Sequence, residues 1–217
     1  MSEPLRHGKV ELALHRLREG AGRTLLLLHG LGERSPRELP ADLAGWPGPV
    51  SALDFTGHGD STRPLGGGYF DELLLGDADA ALAKLSQATL LGRGLGAWVA
   101  LLLAGSRPQA VRGALLCDGA GIAGVGPAPR DPTLVIPAGP ARAEDPDPLA
   151  LLELARQVRP PDYAARFLAL AAARSGLAQP VWICASERPP WLARIADAPG
   201  ASVASVASAL AACAAFA

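Results

Sequence analysis

Alternating and continuous runs of apolar residues set out the elements of the chain. Residues 10–17 alternate, with Val10, Leu12 and Leu14 apolar against Glu11 and His15, the period of an antiparallel edge strand. Residues 24–28 form an unbroken apolar run ending in His29-Gly30-Leu31-Gly32, as expected of a central strand buried on both faces. A loop with a short helix follows. A second core strand over 50–55 then leads into Thr56-Gly57-His58-Gly59-Asp60-Ser61. Residues 71–85 read as an amphipathic helix with an acidic first turn, which complements the helix dipole. A short strand over 88–91 meets Gly92-Arg93-Gly94-Leu95-Gly96 and an apolar helix over 97–104. Residues 111–117 form another buried strand. After a Gly- and Pro-crowded stretch over 119–147, with one short apolar run at 133–136, come helices over 149–158 and 162–173. A late core strand at 180–185 and a last one at 201–206 complete the series. Strands alternating with helices predict a parallel, doubly wound sheet in a three-layer α/β domain.

Composition changes this picture little. With 217 residues and 49% hydrophobic residues, the chain can bury one core, so global disorder is excluded. A net charge of -1 provides no electrostatic footprint for nucleic acid or for an anionic membrane. The charge-free stretch 198–217 holds Pro199, Gly200 and three serines, and reads as a last strand plus a buried helix rather than a membrane span. No apolar leader follows Met1, and the expected setting is the bacterial cytoplasm. Cys117, Cys184 and Cys213 are odd in number and far apart, so they predict buried thiols rather than a disulfide framework or metal cluster. No cofactor is expected.

Four landmarks resemble the α/β-hydrolase family. They are His29-Gly30-Leu31-Gly32, the Asp54…Gly57-His58-Gly59-Asp60-Ser61 turn, the strand–Gly-x-Gly-x-Gly–helix elbow at 92–96, and the strand at 111–117. The likeness is dense over residues 10–120 and thinner beyond. It implies one α/β-hydrolase-like domain over 1–217 with a reduced helical cap at 127–178. It also implies a nucleophile on the elbow, a histidine oriented by a carboxylate, and an oxyanion hole of two backbone N–H groups.

This sequence departs from that pattern at each triad position. The elbow carries Gly94, which has no nucleophilic side chain and adopts positive φ at little cost. The four histidines are His7, His15, His29 and His58, and none follows residue 58. Asp118 and Glu187, at strand ends, are candidate acids, with loop capping as the alternative role. The resemblance places the oxyanion donors at the N–H groups of Leu31 and Leu95, with Leu95 opening a helix whose dipole favours an anion. His29, Gly30, Leu31, Arg93, Gly94 and Leu95 are therefore the candidate ligand-binding set. His29 is alternatively a loop brace, and Arg93 a solvated arginine. His58 and Asp60 read as turn residues more readily than as an acid–base pair. Trp98, Trp182 and Trp191 read as packing.

Two functional readings follow. The first is a non-hydrolytic pseudoenzyme, a binding or interaction module for a small carboxylate or carbonyl ligand, a protein partner or a second copy of itself. The second is an enzyme with triad-independent chemistry of lyase, isomerase or cyclase type, or a weak residual esterase, using the backbone oxyanion hole. A deep pocket floored by Gly94 would favour the second.

Overall fold

The computed structural model describes residues 2–124 and 145–215. Among the described residues, eight strands form one sheet in the order β1-β2-β4-β3-β5-β6-β7-β8. They are β1 (Ser2–His7), β2 (Val10–Arg18), β3 (Thr24–Leu28), β4 (Val50–Leu53), β5 (Ala88–Arg93), β6 (Val111–Cys117), β7 (Val181–Ile183) and β8 (Ala201–Val203). β2 pairs antiparallel with β1 and with β4, and every pairing from β4 to β8 is parallel. The helices are α1 (Asp71–Leu85), α2 (Leu95–Ser106), α3 (Pro148–Ala155), α4 (Pro161–Arg174), α5 (Pro190–Ile195) and α6 (Val206–Ala214). This is the three-layer α/β architecture that the alternation of elements predicts.

β3, β5 and β6 occupy the middle of the sheet because their apolar runs must be covered on both faces. β3 is buried at every position. On one face, Leu26, Leu28, Leu90 and Leu116 pack with α2 and its neighbours; on the other, Leu25, Leu27, Leu91 and Leu115 pack with α6. α2 is buried from Leu95 to Gly105, which its uniformly apolar sequence requires. α4 and α5 lie against each other, and α4 also covers α2. Trp98 of α2 meets Trp191 of α5 edge-on at 5.2 Å, and both are buried, so they pack as expected; Trp182 is half-buried. Gly113 in β6 lets α6 approach, since an added Cβ would lie 2.6 Å from the Cys213 sulfur.

Several expectations need correction. The strand at 10–18 is not the sheet edge, because residues 2–7 form β1 outside it. That segment, Ser-Glu-Pro-Leu-Arg-His, lacks an apolar stripe, and Pro4 suits an edge position. His15 is buried rather than turned to solvent. The last strand ends at Val203, and Val206 already opens α6, with the Ser205 hydroxyl capping the Ser208 N–H. α5 is a further helix, opened by Pro190 at its first turn. Of the cap region, residues 127–144, with the run at 133–136, lie outside the described residues. Within the rest, α4 belongs to the layer covering α2. α3 is tied to the 57–69 loop through Asp147, bonded by the Tyr69 hydroxyl, and Glu153, bonded by the Gly68 and Tyr69 N–H groups. No helix among the described residues is long and apolar enough to cross a membrane.

Candidate functional site

The elbow forms where β5 runs into α2 at the carboxyl end of the sheet. Gly94 has φ 56° and ψ −117°, a backbone conformation that strains any residue with a side chain. The approach of strand and helix is as close as the flanking glycines suggest: a Cβ on Gly96 would lie 2.7 Å from the His29 carbonyl oxygen. The turn between β5 and α2 thus carries no side chain at residue 94.

The His29–Gly32 loop is held from beneath by two neutral imidazoles. His29 Nε2 accepts the Phe55 N–H at 3.1 Å, so its Nδ1 donates to the Gly30 carbonyl at 2.8 Å. His58 Nε2 accepts the Gly32 N–H at 3.2 Å, and its Nδ1 faces the Thr56 carbonyl at 3.2 Å. Burial lowers both pKa values, that of His58 to about 3, where the neighbouring His29 lowers it further. Both rings are braces with both nitrogens engaged. Asp60 lies apart from His58, pairing with Arg37 at 2.8 Å.

Beneath the same turn, Asp54 accepts N–H bonds from Ser35 at 2.7 Å and Asp60 at 2.9 Å, and faces His15 Nε2 at 2.8 Å. Burial pushes its pKa up, but the His15 ring and these N–H groups outweigh that and hold it well below the carboxylate range. His15, Asp54 and Asp60 lie close enough to ligate a cation. The Asp54 oxygens already accept backbone N–H groups and the Arg37 guanidinium sits beside both His15 and Asp60, so the donor set suits an internal turn rather than a metal ion.

The two N–H groups expected to receive an anion converge on one atom. Leu31 N–H and Leu95 N–H each donate at 2.9 Å to the carbonyl oxygen of Ala120. That oxygen sits where an oxyanion hole would hold a substrate carbonyl. Ala120 belongs to the turn leaving β6, Gly119-Ala120-Gly121, which lies against the elbow. Gly94 N–H donates to the Cys117 carbonyl at 3.1 Å. A Cβ on Gly121 would lie 2.7 Å from the Leu31 Cβ. The turn is anchored beyond Ala120 as well: the Trp191 indole N–H donates to the Ile122 carbonyl at 2.8 Å, and Arg159 bonds the Gly121 carbonyl. Gly94 is buried under this turn. The nest expected for an external ligand is occupied by the chain's own peptide group.

The remaining candidates take structural positions. Gly30 N–H donates to Glu33 Oε2 at 3.1 Å, and the Arg93 guanidinium lies 3.6 Å from that oxygen, so Arg93 links the elbow to the loop while remaining half exposed. Asp118 caps the segment after β7: it accepts from Ser186 N–H (2.8 Å), Ser186 hydroxyl (2.6 Å) and Glu187 N–H (2.9 Å). Burial works to raise its pKa, but these bonds and Arg188 keep it below its usual value. Glu187 is exposed and borders an open depression of about 400 Å³ above the 119–124 turn. Sequence reasoning missed Glu33, Ala120 and the buried charges of Asp71 and Arg159. Burial raises Asp71 to about 6 and lowers Arg159 to about 10, each opposed by the other's charge. A deeper cavity of about 350 Å³ lies on the α6 side of the sheet. Its floor is Leu27, Leu91 and Cys117, with Leu43 and Val206 as walls and Arg93 at the rim.

Residues 25–215 match the alpha/beta hydrolase family. This chain belongs to it. The thioesterase domain from the curacin biosynthetic pathway shares the fold, with a TM-score of 0.67 and 17% identity over 100% of this chain and 98% of that one. An epoxide hydrolase from Vigna radiata aligns at 24% identity and a TM-score of 0.47, over 61% of this chain and 42% of its own length. E-2-(acetamidomethylene)succinate hydrolase aligns at 25% and 0.45, over 54% and 44%. The chain thus spans less than half the length of these two structures. No curated protein matches the sequence. Family membership fixes the scaffold on which the Gly94 elbow and the Ala120 carbonyl are to be interpreted.

Proposed function

We propose that this alpha/beta hydrolase is a non-hydrolytic pseudoenzyme whose scaffold serves as a binding or interaction module. The observation that carries this reading is the Ala120 carbonyl accepting both Leu31 and Leu95 N–H groups over a side-chain-free Gly94. Loss of triad members alone costs on the order of 10⁴–10⁶ in rate, leaving oxyanion-hole and binding effects. Here the oxyanion donors are engaged as well, so that residue of catalysis has no vacant site in which to act. Purified protein assayed with p-nitrophenyl esters and thioesters is expected to show background turnover. A rate near that of ordinary esterases, abolished by substituting one residue of this chain, would overturn the proposal.

One observation favours the enzymatic alternative. The two N–H groups converge on one oxygen in the arrangement that polarises a carbonyl, and the 119–121 turn is at the surface. Withdrawal of Ala120 would expose a site for a small carboxylate or an enolate. The amide resonances of Leu31 and Leu95, followed during titration with small carboxylates, separate the readings. Saturable shifts confined to these two amides and Ala120 support a ligand-displaced carbonyl; unchanged shifts support a permanently filled nest.

A further inference from the structure

Cys117 and Cys184 are 67 positions apart in sequence, yet their strands carry them to the same place. β6 and β7 pair with Leu115 opposite Trp182 and Leu116 opposite Ile183, so Cys117 and Cys184 are the next opposed pair. Opposed residues on neighbouring strands have Cα atoms about 4.8 Å apart, inside the roughly 4.4–6.8 Å that a disulfide spans without backbone movement. Both thiols are free, and Cys184 packs against the buried apolar cluster that holds Cys117. The neighbouring Cys117 thiol, together with Arg188, holds Cys184 below the usual thiol range, whereas the Cys184 thiol and burial push Cys117 up.

Three further features suit this pair to reaction. One residue beyond, the Asp118 carboxylate already clasps Ser186 and Glu187, so the strand ends are held in register before any bond forms. Cys184 is half-buried rather than sealed in the core, and Cys117 lines the 350 Å³ cavity. Cys213 lies on α6 in the same apolar cluster, with burial raising its thiol to about 11.

We propose that Cys117 and Cys184 form a reversible dithiol–disulfide site oxidised by peroxides. The Cys184 thiolate attacks one peroxide oxygen, the O–O bond breaks, and water or an alcohol leaves, giving a sulfenic acid on Cys184. The Cys117 sulfur then displaces the sulfenic oxygen, which leaves as water carrying the Cys117 proton, and an S–S bond forms. Two thiols lose two electrons and two protons, and the peroxide takes them up. This inference is independent of the hydrolytic question.

The test is treatment of the reduced full chain with hydrogen peroxide, followed by intact mass, alkylation of thiols in denaturant and peptide mapping. The expected product is lighter by about 2 Da, links the Cys117 and Cys184 peptides, leaves Cys213 alkylatable, and reverts with dithiothreitol. Cys117→Ser should accumulate a dimedone-reactive sulfenic acid on Cys184, and Cys117→Ala serves the same purpose if the serine variant folds poorly. Cys184→Ser should abolish both the mass loss and dimedone labelling. Stable sulfenic or sulfinic acid on Cys184 in the unsubstituted chain, a bridge involving Cys213, or no oxidation at all would each overturn the proposal.

Discussion

Installing serine at residue 94 tests whether the site lacks only its nucleophile or has closed over the space the nucleophile would need. A Cβ on Gly94 would lie 2.6 Å from the Gly119 carbonyl carbon and nearer still to the Ala120 oxygen. These are backbone atoms, so no side-chain rotation relieves the overlap and the 119–121 turn must move. Moving it breaks the two 2.9 Å bonds from Leu31 and Leu95 to Ala120. Each is worth about 1 kcal/mol net, and more if the donor stays dry. Holding serine at φ 56° and ψ −117° adds about 1–2 kcal/mol of backbone strain. Gly94→Ser should therefore destabilise the protein by roughly 3–4 kcal/mol, a large share of the ~5–15 kcal/mol that holds a typical domain folded. Urea denaturation followed by circular dichroism should show a lower midpoint at unchanged slope. Gly94→Ala should lose as much, because the Cβ and not the hydroxyl causes the overlap. Neither variant should give an acyl-enzyme burst with p-nitrophenyl acetate, since no histidine follows residue 58. A Gly94→Ser protein within about 0.5 kcal/mol of the parent, or one that forms an acyl-enzyme, would refute the argument.

Two other outcomes follow from the same geometry. His58 is held neutral with its pKa lowered from 6.5 to about 3, so its contribution is present above the unfolded value and is lost as pH falls from 6.5 towards 3, up to ~4 kcal/mol. Asp71 acts in the opposite sense: raised from 3.8 to about 6, it contributes most below 3.8 and loses that contribution as pH rises to 6. Chemical denaturation at a series of pH values should thus give a steeper acid loss between pH 6 and 4 in Asp71→Asn than in the parent, and an unchanged or shallower slope would contradict these assignments. Asp118→Ala removes three acceptor contacts after β7 and should cost about 1–2 kcal/mol by urea titration; a neutral substitution would show that the cap is redundant.

Much of the scaffold was legible because its central strands and first helix obey strong periodicities. Residues 24–28, 71–85 and 111–117 have the bounds that their apolar patterns imply. β1 escaped because an edge strand needs only one partner and little burial, and Ser2–His7 pairs through backbone with a polar sequence. α5 escaped because six residues behind Pro189-Pro190 carry too little period to read. At the site, the backbone of Gly94 and the bracing roles of His29 and His58 could be anticipated. The Ala120 carbonyl could not, because every residue contributes one and no side chain marks it. The small residues Gly119, Ala120 and Gly121 were the available signal, since only such a turn could lie this close to the elbow. The meeting of Cys117 and Cys184 depended on strand order and register, which separate apolar runs do not specify.

The peptide group of Ala120 resembles chemically the ester or amide that hydrolases cleave. Without that carbonyl, the inward-directed amide hydrogens of Leu31 and Leu95 would have nothing to bind but solvent. The turn after β6 gives them a tethered surrogate substrate that can never be released as product. Any substrate carbonyl that is to reach these two amides must therefore first displace residues 119–121.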